Sequence, residues 1–194
     1  MAATVKKALL KLLAVLGLGS LGANAHAIEE PAYTVVRQYP AFEVRQYAPY
    51  LVAEVNVPGP ASEAGNQGFK ILAAYIFGKN KGDRKIEMTA PVTQAASDMG
   101  FIIQFTMPRE FTLDTLPEPL DSSVKLKEIP GGRFAVIRYS GRWSEANYAD
   151  HLAQLQQAMK AEGISTRGEP IYSRYNAPFV PWFMRRNEIW LHVD

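Results

Sequence analysis

The chain contains no cysteine, and histidine is nearly as scarce, with three in 194 residues. The first absence excludes a disulfide scaffold, a thiolate metal site and a lipid-modified cysteine. The second leaves His151 and His192 as the only histidines after residue 27, and no pair of ligands is spaced for zinc or iron. No G-x-S-x-G occurs, and Ser140 and Ser173 close strand-like segments, where serine is ordinary. A nucleophilic hydrolase is therefore not expected, and no catalytic residue is nominated.

Excess basic charge is also missing once the first segment is set aside. Lys6 and Lys7 begin a positive stretch, "ALLKLLAVLGLGSLGA" is a short apolar run, and Ala25-His26-Ala27 fits the small-x-small rule for signal peptidase. Residues 1–27 are read as a secretory signal peptide, cut after Ala25 or Ala27. The competing reading is an uncleaved anchor, for which the run is short. Without Lys6, Lys7 and Lys11 the 21 basic residues fall to 18 against 19 acidic, a net charge of −1. No nucleic-acid footprint remains, and after cleavage no membrane span is expected. The expected product is an exported, periplasmic protein.

Apolar residues supply 47% of the chain and aromatics 11%, enough for one domain with a real core over residues 28–194. The same unit occurs twice, at about 33–107 and 124–193. Strand-like "YTVVRQ" (33–38), "FEVRQY" (42–47) and "LVAEVNV" (51–57) precede a helical stretch from about Ser62 to Phe77, then "KIEMTAPV" (85–92) and "FIIQFTM" (101–107). In the second half come "VKLKEI" (124–129) and "RFAVIRYSG" (133–141). A helix from about Ser144 to Ala161 follows, then "PIYSRYNAPF" (170–179) and "NEIWLHV" (187–193). Ser144 makes a helix start and Gly163 a stop. The spacings match: ten residues separate Pro91 from Phe101 and ten separate Pro178 from Glu188. Such a duplication of strand-strand-helix-strand-strand units implies an α+β domain, a curved antiparallel sheet or barrel with two helices. In "KIEMTAPV", Ile86, Met88, Ala90 and Val92 share one face, so Met88 is expected in the core.

"GKNKGDRKIEMTAPV" followed by "YNAPFVPWFMRRNEIWLHV" resembles the SOUL/heme-binding protein family, in which two such motifs bracket a duplicated fold. The resemblance covers about Tyr33 to Val193. It implies a distorted antiparallel β-barrel with two flanking helices, related to GyrI-type ligand-binding domains. It also implies a non-enzymatic protein that binds heme or a related tetrapyrrole as carrier or scavenger, with a small-molecule tetrapyrrole as its partner.

Given that ligand, the residues favour apolar contact over strong ligation. On the first helix, Phe69, Leu72, Ala73, Ile76 and Phe77 cover more than one buried face requires, while Gly65, Gly68 and Ala74 keep the surface shallow. Lys70, Lys79 and Lys81 are near enough to meet propionates. The second candidate wall is the loop "YNAPFVPWF", with Tyr175, Phe179, Val180, Trp182 and Phe183 around two prolines. His151, on a helix shoulder, is the one histidine considered as an axial ligand, and His192 is expected on the solvent side of an edge strand. Arg186 and Glu188 share a strand face and are expected to form a structural ion pair, with each other or with Lys85 and Glu87. Two other functions remain open: a GyrI-like module for another amphipathic or cationic molecule, and an envelope protein-interaction module that uses residues 178–183.

Overall fold

The computed structural model describes residues 28–193; the signal peptide expected at residues 1–27 lies outside them. Nine strands and two helices follow in chain order: β1 (Tyr33–Gln38), β2 (Glu43–Tyr47), β3 (Tyr50–Val57), α1 (Ala61–Ile76), β4 (Val92–Ser97), β5 (Gly100–Thr106), β6 (Lys125–Ile129), β7 (Gly132–Tyr139), α2 (Glu145–Ala161), β8 (Thr166–Arg174) and β9 (Asn187–Val193). A short 3₁₀ turn, Trp182–Met184, interrupts the loop between β8 and β9.

All the strands join one antiparallel sheet in the order β1-β2-β7-β9-β8-β4-β5-β3-β6. This is the expected α+β class, curled as a half-barrel with β1 and β6 as its edges. Outward from the seam where β4 meets β8, one side reads β4, β5, β3, β6 and the other β8, β9, β7, β2. Each side's fourth strand thus comes from the other half of the chain, which ties the halves together. His192 and its strand are consequently central and not at an edge: β9 lies between β7 and β8, and the His192 ring packs on Phe134 at 4.0 Å.

The helices form where local chemistry directs them. Ser144 caps α2, its hydroxyl accepting from the Asn147 backbone N–H at 3.3 Å, and Gly163 ends the turn beyond it at φ +68°. Pro60 precedes α1, and Glu63 in its first turn complements the helix dipole. Under α1, the side chains of Leu72, Tyr75 and Ile76 meet Val55, Ile103 and Phe105 of the sheet. Under α2, Leu155 and Met159 meet Ala135, Ile137, Ile189 and Leu191. Alternation along β9 sends Trp190 to the opposite face, where it packs with Tyr47, Phe134, Tyr175 and Ala90.

"KIEMTAPV" departs from expectation. Its backbone bonds to no neighbouring strand until Val92. Instead the Ile86 N–H donates to Ile76 O at 2.9 Å, and the Ala90 N–H donates to Glu29 O at 2.9 Å. These partners belong to the end of α1 and to the N-terminal segment, so the stretch follows a path between them and loses strand periodicity. Ile86 and Ala90 are buried, but Met88 is 49% exposed and not a core residue.

Candidate functional site

The nominated residues separate into three environments. Ile76 (1% exposed) and Tyr175 (8%) are core side chains, so neither presents a surface to a ligand. Phe69 and Ala73 are half-buried against the cluster under α1, with Phe69 edge-on to Phe105 at 5.3 Å. Lys70, Phe77, Phe179 and Trp182 are exposed, and Val180 is half-buried. The apolar surplus of α1 is thus largely absorbed by the sheet beneath it.

The signature "RRNE" builds a buried network. Glu188, fully buried, accepts from Arg45 Nη1 at 2.9 Å, Arg186 Nε at 3.0 Å, the Tyr175 hydroxyl at 2.8 Å and Trp190 Nε1 at 2.8 Å. Arg45 also pairs with Glu43, and Arg186 with Glu30 at 2.7 Å. Burial alone would raise the Glu188 pKa, but the hydrogen bond and charge of Arg45, with Arg186 and the Trp190 N–H, hold it below the ordinary carboxylate range. Burial, then the charge of Glu188, pushes the Tyr175 phenol well up. Arg186 and Glu188 do pair, as expected, while Lys85 and Glu87 are exposed and take no part. With its oxygens occupied by fixed donors, Glu188 is a structural anion holding β2, β9 and the loop after β8.

A cleft of about 490 Å³ opens elsewhere, between the N-terminal ends of the two helices and over the β4–β8 seam. Ala61 and Ser62 of α1 line one side; Trp143, Ser144, Glu145, Tyr148, Ala149 and Leu152 line the other. Gln94, Phe101, Tyr172 and Arg174 complete it from β4, β5 and β8. Its size suits a small organic molecule.

The basic group in this cleft is fixed by its neighbours. Arg174 Nε donates to the Tyr148 hydroxyl at 2.8 Å, and Nη2 donates to Gln94 Oε1 at 3.0 Å. Gln94 Nε2 in turn donates to Ala61 O at 2.8 Å, tying the arrangement to the first turn of α1. The guanidinium also faces the Trp143 ring at 5.3 Å and the Tyr148 ring at 5.7 Å. Trp143 is itself held by donation to Asn187 Oδ1 at 2.8 Å. Burial raises the pKa values of Tyr148 and Tyr172, so both phenols stay neutral.

The aromatic loop adjoins the cleft through Trp143. Arg185 lies over the Trp143 ring at 4.4 Å and donates to Val180 O at 2.8 Å, and the Gly141 N–H donates to Trp182 O at 3.0 Å. Phe179, Trp182, Phe183 and Met184 extend outward from this brace as an exposed apolar lip. His151 lies outside the cleft: its Nδ1 is 2.8 Å from Asn147 O and its ring stacks on Tyr139 at 4.1 Å. The nominated lysines are elsewhere too, and Lys81 pairs with Glu118 at 2.5 Å. None of the cleft residues was nominated from sequence. Tyr148 and Leu152, four apart on α2, and Tyr172 and Arg174, two apart on β8, carried the available signal: each pair shares a face.

The fold and the cleft together define an α+β protein with a ligand-sized recess between two helices on one antiparallel sheet. The family model described as SOUL heme-binding protein matches residues 28–192, and the chain belongs to that family. It is 30% identical to human heme-binding protein 2, over 87% of this chain and 88% of the relative. It is 29% identical to mouse heme-binding protein 1, over 68% and 73%. Among solved structures it resembles a hydrolase from Listeria innocua with a TM-score of 0.56 at 15% identity, covering 82% of this chain and 94% of that one. That likeness concerns the fold alone.

Proposed function

We propose that this protein binds heme or a related tetrapyrrole non-covalently in the cleft between α1 and α2, as a non-enzymatic carrier or scavenger in the cell envelope. Family membership supports the ligand class, and the leader-like first 27 residues support the location. The observation that carries the site is the cleft itself, walled by Phe101, Trp143, Tyr148, Leu152 and Tyr172 around an arginine. Apolar and aromatic walls remove the faces of a flat macrocycle from water, and the cation suits its acidic edge.

The lining residues also fit a particular mode of binding. They include no histidine, methionine or cysteine, and the two tyrosines are held neutral by burial. Heme would therefore be retained by Phe101, Trp143, Leu152 and Tyr172 through contact, without a strong axial ligand. A bound tetrapyrrole would supply its own redox or carrier chemistry, while this chain shields it and orients it. The arginine in the cleft also disfavours the alternative of a cationic amphipath.

Titration of residues 28–194 with hemin tests the proposal. The expected result is a shifted Soret band with quenching of tryptophan fluorescence, and loss of the Soret shift in Leu152→Trp, which fills the cleft. A Soret band unchanged from hemin in buffer, with no tryptophan quenching, would sink it.

A further inference from the structure

Arg174 is a cation held in place without a counter-charge. Among the described residues it forms no ion pair, unlike Arg45 and Arg186, and it differs from the neighbouring Arg185, whose guanidinium is spent on the Val180 and Pro178 carbonyls, in lining the cleft. Its Nε and Nη2 are spent on neutral acceptors, and Nη1 donates to no described residue. A half-buried guanidinium normally gains a carboxylate, because neutral acceptors and ring faces replace only part of its lost hydration.

Space for that fixed position depends on an absent side chain. A Cβ on Gly65 would stand 2.7 Å from Gln94 Oε1 and 3.2 Å from Arg174 Nη1. The guanidinium thus lies against bare helix backbone at the foot of α1. Tyr148, Gln94 and the Trp143 ring hold its plane, leaving side-chain rotation little freedom. Such a group is pre-organised, and its planar fork matches a carboxylate better than a flexible ammonium would.

We infer that Arg174 is the carboxylate anchor of the cleft and makes the protein selective for ligands with an ionised acid beside a flat apolar body. This inference rests on the tetrapyrrole reading above and sharpens it: of two macrocycles with the same ring, the one with its acid groups intact is preferred. Glu145, the acidic residue lining the cleft, is exposed and forms no ion pair among the described residues, so water screens it and Arg174 remains the dominant fixed charge.

Hemin and hemin dimethyl ester, which differ in charge at the propionates, are titrated into the native protein and into Arg174→Ala and Arg174→Lys, following the Soret band and tryptophan quenching. Native protein is expected to bind hemin roughly 10- to 100-fold more tightly than the ester, as one charged hydrogen-bonded contact provides. Arg174→Ala should lose that preference by weakening hemin alone, and Arg174→Lys should recover part of it. Equal affinities of the native protein for the two ligands would overturn the inference and leave the tetrapyrrole reading standing. A preference that survives in Arg174→Ala would overturn the assignment to this residue. Binding of neither ligand would overturn the tetrapyrrole reading and this inference with it. The comparison of ligands on native protein does not depend on the variants folding.

Discussion

The two helices lie on the same sheet but differ in how they use it. α1 buries Ala64, Gly65, Gly68, Leu72, Tyr75 and Ile76, whereas α2 buries only Leu155 and Met159. Close seating leaves no room: a Cβ on Gly68 would stand 2.4 Å from Ile103 Cγ1, so α1 rests directly on β5. The first two turns of α2 instead present Tyr148 and Leu152 to a cleft. The more apolar helix is the better packed one, and the cleft opens beside the less apolar one. Apolar surplus in a segment therefore measures how much the fold takes from it before it measures what a ligand could use.

This contrast can be tested from the strongest effect downwards. Both helices pack on the same sheet, so the comparison first requires that sheet to hold. Glu188→Gln leaves Arg45 and Arg186 beside a neutral amide with only their outer partners Glu43 and Glu30, and should cost about 3 kcal/mol in denaturant unfolding. The pH dependence has a definite sign. Glu188 titrates below its ordinary value in the folded protein, so its contribution is complete above about pH 4.3, the unfolded value, and is lost as pH falls through the lower folded value. Acid unfolding of the native protein should therefore be steeper than that of Glu188→Gln, and identical acid profiles would contradict the network.

Leucine truncation compares the helices directly. Leu72→Ala on α1 removes a wholly buried side chain and should cost about 2–5 kcal/mol. Leu152→Ala, half-buried on the cleft wall, should cost no more than about 1 kcal/mol and appear mainly as weaker hemin binding. Equal losses of stability would erase the distinction between the helices.

Two glycines one turn apart on α1 sharpen it. Gly68→Ala meets the β-branched Ile103 and should destabilise by about 1–3 kcal/mol. Gly65→Ala meets the flexible ends of Gln94 and Arg174, so its stability should change little while hemin affinity falls several-fold as the guanidinium shifts. The smallest effect belongs to Glu145→Gln. Removing that exposed carboxylate should tighten hemin by about two- to five-fold at low salt, and the gain should fade as salt is raised.

Much of the fold was legible in sequence because it rests on local rules. Strands β1 and β9 lie where the strand-like segments 33–38 and 187–193 placed them, and Ser144 and Gly163 bound α2 as their chemistry requires. The pairing of Arg186 with Glu188 followed from their position two apart on a strand. "KIEMTAPV" misled because its alternation coincides with contacts to α1 and the N-terminal segment, so Met88 faces solvent. Tyr175 misled for a related reason: in a loop rich in aromatics it is the one that turns inward, drawn by the Glu188 carboxylate.

Class and family are legible from the chain alone, because periodicity, caps and two long motifs are properties of neighbouring residues. The absence of cysteine and the scarcity of histidine are likewise plain from the sequence, and both limit the side chains available to ligate a metal. The position of the cleft is set by packing between distant elements. Its lining comes from two helices, the turn before α2 and three strands, and Gln94 and Arg174 meet across 80 residues of chain. No local pattern encodes which faces fail to touch, since a cavity is what remains after distant elements have packed as closely as their side chains permit.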